Sequence, residues 1–134
     1  MTVDLVCVPP VDITKAWPLA RNLIRAAIER TNLSEFADIE NAVLSGDQLL
    51  WMAISDHVEA AATTHLIKTS GKPVLIVTAV SGRHRERWLS LRHKIEAYAK
   101  AEGCKCVRLY GRRGWERALP DYRVEYVIME KELA

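Results

Sequence analysis

The sequence is short of several things, and each absence narrows what the chain can be. No apolar run approaches the ~18 residues that a membrane helix needs, so a membrane partner is not expected. The opening Met1-Thr2-Val3-Asp4 is acidic and short, not basic and then apolar, which sets the expectation of a chain without a secretory leader. The 3 cysteines, Cys7, Cys104 and Cys106, are an odd set with no disulfide framework, which suits a reducing compartment, so the expected location is the cytoplasm. Cys104-Lys105-Cys106 has no neighbouring Cys or His at zinc-ligand spacing, so no metal site is expected and the two thiols read as core. There is no internal repeat, no low-complexity tract and no linker long enough to divide the chain, so residues 1–134 read as a single domain. No Ser-His-Asp or Cys-His arrangement can be read as a nucleophile site.

What is present suits a folded domain. The 134 residues are 49% hydrophobic and 27% charged, enough for a core and a solvated surface. Net charge is only +2, yet it is lopsided. Residues 1–67 hold 4 Lys/Arg against 9 Asp/Glu, and residues 68–134 hold 15 against 8. A basic half can face nucleic acid, a phosphorylated cofactor or an acidic protein. No recognised nucleic-acid motif accompanies it, which leaves nucleic acid as a partner by charge alone.

Periodicity gives the elements. Val3–Val8 reads as a strand ended by Pro9-Pro10. Ile13, Trp17, Ala20, Ile24 and Ala27 recur at helical spacing over about 13–29, with Pro18 expected in the first turn and Asp12 as cap. A second helix is expected over Glu35–Leu44, stopped by Ser45-Gly46. Gln48–Ser55 and Val58–Lys68 alternate as an antiparallel hairpin, and Ser70-Gly71 turns into an apolar strand over 73–80. Trp88, Leu91, Ile95 and Tyr98 then repeat at helical spacing, so a helix is expected at about 85–102, closed by Gly103. The run 105–110 reads as a strand. Strand, helix, strand with tight joints is a βαβ unit, so 73–80 and 105–110 should be parallel. A short helix over Trp115–Leu119 and a final strand over Tyr122–Glu132 complete the chain.

The expected fold class is therefore α/β (α+β), with a mixed, mainly antiparallel sheet, one parallel pair and helices on both faces. The order strand, helix, helix, three strands, helix, strand, short helix, strand resembles the GNAT superfamily of acyl-CoA N-acyltransferases. The likeness covers nearly the whole chain and is best over Arg108–Leu119 with the strand Glu125–Leu133. The chain is also similar to small GNAT-like proteins of tailed-phage and prophage genomes, which implies association with a virion in a host cytoplasm. The resemblance implies acetyl-CoA as cofactor, lying between two splayed parallel strands. Its pantetheine would pair near Thr78–Val80, and its pyrophosphate would rest on Ser81–Arg87. A tyrosine would protonate the departing thiolate.

Two departures from the family pattern bear on activity. The pyrophosphate loop of the family, Gln/Arg-x-x-Gly-x-Gly/Ala, is replaced by Ser81-Gly82-Arg83-His84-Arg85-Glu86-Arg87-Trp88, with one glycine. If Gly111 holds the family's Asn position, Ala118 holds its tyrosine position. Tyr110, Tyr122 and Glu59 are the remaining candidates for proton transfer. His57 and His65 have a suitable side chain but read more simply as surface or structural groups. The candidate cofactor residues are Val80, Ser81, Gly82, Arg83, Arg85 and Arg87. Basic residues at 83–87 are unfavourable at a helix N-terminus unless an anion answers them. Arg112-Arg113 could join the same site. Arg85, Arg87 and Arg92 are the candidates for contacting a protein partner or a second copy. These departures favour a degenerate acetyl-CoA site in a phage-type interaction, assembly or virion component. The alternative is an acyl-CoA-dependent N-acetyltransferase acting on an amine.

Overall fold

A computed structural model describes residues 2–69 and 71–134. Five strands form one sheet in chain order: β1 (Asp4–Cys7), β2 (Leu49–Ile54), β3 (Val58–Thr69), β4 (Lys72–Gly82) and β5 (Val107–Leu109). The first four meet antiparallel, and β5 joins β4 in parallel through Leu75↔Val107, Ile76↔Arg108 and Val77↔Leu109. The expected parallel pair is therefore present. The turn expected at Ser70-Gly71 falls partly on Ser70, outside the described residues.

Helices cover both faces. α1 (Ile13–Thr31) and α2 (Phe36–Ser45) lie on one side, where Trp17, Ile24, Ile28, Ile39 and Val43 pack on Leu50, Met52, Ala61 and Ala79. α3 (Arg92–Ala101) lies on the other, where Ile95 and Ala99 meet Trp51, Ala62 and Leu75. Alternation along β2 sends Leu50 and Met52 to the α1 face and Trp51 to the α3 face, as a period of two requires. α4 (Trp115–Ala118) follows β5.

Five expectations need correction. α1 begins at Ile13, as the spacing predicts, so Pro18 lies inside it in the second turn and not the first. The hydrogen bond that Pro18 cannot donate would have gone to Thr14, which is exposed on the same side, so water can satisfy that carbonyl. Asp12 precedes α1 but makes no side-chain cap. The helix expected from about 85 starts only at Arg92, after two 3-10 turns at Arg85–Arg87 and Leu89–Leu91. His84 adopts a left-handed φ of 54° and the Trp88 indole donates to the Arg83 carbonyl at 2.8 Å, which together fold the chain back before an α-helix can begin. β5 is shorter than 105–110, so Cys104 and Cys106 precede it; Cys104 still packs against the α3-side core. The strand expected over Tyr122–Glu132 is not formed. Residues 123–134 lie exposed without helix or strand structure, although their alternation is that of a strand.

Candidate functional site

The sheet opens at one residue. β4 and β3 stay paired from Thr69↔Lys72 to Ala60↔Gly82, but Thr63 faces Ala79 while Thr64 faces Val77. Thr78 is thus an extra residue on β4, a β-bulge, and bulges bend the strand that carries them. Polar groups hold it. The Thr78 hydroxyl donates to Gln48 Oε1 at 2.7 Å and lies 2.7 Å from the Thr63 hydroxyl, which can donate to it in turn. Thr63 and Gln48 are both buried, so these bonds replace water that the groups have lost. Parallel pairing with β5 ends at the same place, its last bond being Tyr110 N–H to the Val77 carbonyl at 3.2 Å. Beyond it, residues 79–82 keep β3 on one edge and have no β5 partner on the other.

A cleft of about 180 Å³ fills the gap. Thr78–Gly82 form one wall, Tyr110, Gly111 and Arg112 the opposite wall, and Arg30 and Thr31 at the end of α1 close a third side. Arg85 and Trp115 line its mouth, with the Arg85 guanidinium 5.9 Å from the Trp115 ring centre. Three arginines, Arg30, Arg85 and Arg112, line this cleft and no Asp, Glu or His does among the described residues. Such a donor set suits a ligand with several anionic groups. The free edge of β4 offers backbone N–H and C=O groups to a ligand carrying amides.

The structure separates the sequence candidates. Val80, Ser81, Gly82, Arg85, Arg112 and Tyr110 line the cleft, whereas Arg83, Arg87, Arg113, Glu59 and Tyr122 do not. Arg87 grips Glu59 with two bonds, Nε to Oε1 at 2.5 Å and a terminal nitrogen to Oε2 at 2.9 Å. The Glu59 side chain is only 5% exposed. Bonding from Arg87 holds its pKa down to about 2, so it is a poor proton acceptor near neutrality. The Tyr122 hydroxyl donates to Glu96 at 2.7 Å, and burial followed by that carboxylate raises its pKa well above the usual phenol range. Tyr110 is 46% exposed on the cleft wall. Arg92 bonds to Asp121 at 3.1 Å and to the Leu89 carbonyl at 3.3 Å, tying α3 to the segment after α4. Arg87 and Arg92 are therefore both engaged in ion pairs within the chain, Arg87 at an exposed position and Arg92 half-buried.

Gly82 has a structural role besides its place in the cleft. A Cβ there would lie 2.5 Å from Ala60 Cβ and 2.5 Å from the Glu59 carbonyl oxygen. Arg30 was not legible as a site residue, since a cation in the last turn of a helix is ordinary. Thr78 and Gln48 carry no sequence signal for a bulge at all.

No protein-family model matches the chain, and no curated protein does. Solved structures do match. An aminoglycoside acetyltransferase from an uncultured soil metagenomic sample, crystallised with sisomicin, superposes with a TM-score of 0.68 at 14% identity, over 98% of this chain and 97% of that one. An acetyltransferase of Trypanosoma brucei gives 0.67 at 15% identity, over 98% and 99%. A GNAT family acetyltransferase of Staphylococcus aureus gives 0.65 at 14% identity, over 99% and 100%. The chain has the GNAT acetyltransferase fold. In that fold the expected splay of parallel strands is the divergence of β4 and β5 at Thr78. The GNAT fold is thus reached here without the usual glycine-rich loop. No helix of the described residues is long and apolar enough to cross a membrane.

Proposed function

We propose that the protein is an acyl-CoA-dependent N-acyltransferase, with acetyl-CoA as donor and an amine as acceptor. The observation that carries this reading is the cleft at the β4–β5 divergence, with an open backbone edge on one wall and Arg30, Arg85 and Arg112 around it. It fits the cofactor that the fold implies: cations suit the phosphates and the β4 edge suits the pantetheine amides. The fold neighbours favour a transferase over the phage-type assembly component expected from sequence, since those described above are acetyltransferases.

Bound there, acetyl-CoA would supply an acyl group activated as a thioester. An acceptor nitrogen would displace the thiol from that group, its surplus proton passing to water. This chain's residues act around that step. The phenol of Tyr110 holds the proton that the departing thiolate takes, a role that Ala118 cannot fill. With no carboxylate on the cleft wall, the rate should rise with pH as the acceptor itself deprotonates.

The test is release of free thiol from acetyl-CoA against a panel of primary amines, a polyamine and an aminoglycoside among them. Turnover on at least one is expected. Tyr110→Phe should lower kcat by about 100-fold, the low end for a general acid, with little change in KM. No turnover on any amine, or an undiminished kcat in Tyr110→Phe, would overturn the assignment.

A further inference from the structure

A second cavity opens off the cleft on the α3 face of the sheet. It holds about 80 Å³, and Val80, Trp88 and Trp115 line both spaces. Its floor is short of side-chain volume. Ala53 of β2 pairs with Ala60 of β3, and Ala60 pairs with Gly82 of β4, so one row across three strands carries two methyl groups and a hydrogen. Ala62, on the same face of β3, adds a third methyl group. The Thr78 bulge extends this floor onto β4. Val77 and Val80 differ in parity, yet the extra residue between them lets both pack on the α3 face. Trp88, Leu89, Leu91 and Ile95 form the roof, placed there by the two 3-10 turns and the start of α3. Apart from Arg92 and Tyr122, which bond to Asp121 and Glu96, the described residues around the cavity carry hydrocarbon or indole side chains.

We propose that this cavity receives the hydrocarbon chain of an acyl-CoA longer than acetyl-CoA, and that a medium-chain thioester such as hexanoyl-CoA is the preferred donor. The inference rests on the acyl-CoA reading above: the cleft takes the cofactor, and the cavity beside it takes the chain. A group the size of water or a methylene needs about 10–15 Å³ to be seated, so roughly five to eight fit in the space. An acetyl group ends in one methyl and would leave it empty, whereas a hexanoyl chain would fill most of it. Side chains that face a void lose dispersion contacts, and a hydrocarbon chain restores them. A polar or charged occupant would shed water there and find few hydrogen bonds in return. An amine acceptor, charged near neutrality, therefore belongs in the cleft and not in this cavity.

Isothermal titration calorimetry of acetyl-CoA and of hexanoyl-CoA into the full chain tests this. Each buried methylene is worth up to about fourfold in affinity, so hexanoyl-CoA should bind at least about 10-fold tighter than acetyl-CoA. Ala62→Val narrows the cavity from the floor and Leu91→Phe from the roof, and neither residue lines the cleft. Both variants should bind acetyl-CoA as the wild type does and lose most of the advantage of the longer chain. Circular dichroism confirms that each stays folded, and Leu91, only half-buried, provides a variant outside the fully buried core. Equal wild-type affinity for the two thioesters, or an advantage that persists in both variants, would overturn the proposal and leave the acyl-CoA reading standing. Binding of neither thioester would overturn both.

Discussion

Replacing Gly82 with alanine adds one methyl group where the structure has no room. The new Cβ would lie 2.5 Å from the Ala60 Cβ and 2.5 Å from the Glu59 carbonyl oxygen, with the Ala60 Cα at 2.8 Å. Carbon atoms rest at about 3.5–4.0 Å, so the end of β4 must withdraw by roughly 1 Å. None of the obstructing atoms is the tip of a flexible side chain. Two are backbone, and the third is a Cβ fixed to the backbone in the Ala60↔Gly82 pair. Overpacking of this kind costs about 1–3 kcal/mol. For a chain of this size each kcal/mol lowers the melting temperature by about 3–5 °C, so Gly82→Ala should melt about 3–15 °C below wild type. Gly114→Ala is the control, because a Cβ there meets nothing within 4 Å. Differential scanning calorimetry on both variants reads the difference. A Gly82→Ala protein melting with wild type would refute the claim that β3 and β4 meet too closely for a side chain.

Two further outcomes follow from the core and from the Arg87–Glu59 pair. Ile24 is 0% exposed between α1 and the sheet, so Ile24→Ala should cost about 2–5 kcal/mol in urea unfolding; a cost below 1 kcal/mol would contradict that packing. The Glu59 pKa is depressed to about 2, so the stability it contributes is complete above its ordinary value near 4.5 and is lost as pH falls toward 2. Melting temperature followed over that window should drop more steeply in wild type than in Glu59→Gln, and parallel curves would show that Arg87 does not hold the carboxylate.

Much of the fold was written in periodicity. The alternation at 48–55 and 58–68 specifies a half-buried hairpin, and the unbroken apolar run at 74–80 specifies a strand covered on both faces. Both are local signals that burial enforces. The errors lie where distant contacts decide. Nothing local at 85–91 announces that Trp88 will bond back to Arg83 or that Arg87 will reach Glu59 across 28 positions, so helical spacing there overstated the helix. Residues 122–132 show a strand's pattern, but a strand is a relation between segments, and alternation cannot say whether a partner exists within the chain. The site divides in the same way. Val80–Gly82, Arg85 and Arg112 follow from their place at the ends of two parallel strands. Arg30 comes from α1, far off in sequence, and the Thr78 bulge depends on Gln48 and Thr63 meeting it through the folded sheet.

The central claim is that the gap between β4 and β5 holds acetyl-CoA against Arg30, Arg85 and Arg112. Isothermal titration calorimetry of acetyl-CoA into the wild type and into the Arg30→Ala, Arg85→Ala, Arg112→Ala triple variant tests it directly. Hydrogen bonds to charged groups are worth about 1.5–3 kcal/mol when well formed and less when exposed, so losing three should weaken binding by at least about 100-fold. The account predicts micromolar binding in the wild type, that loss in the triple variant, and no change in Arg83→Ala, which lies outside the cleft. No heat of binding in the wild type at millimolar acetyl-CoA, or equal affinity in the triple variant, would contradict it.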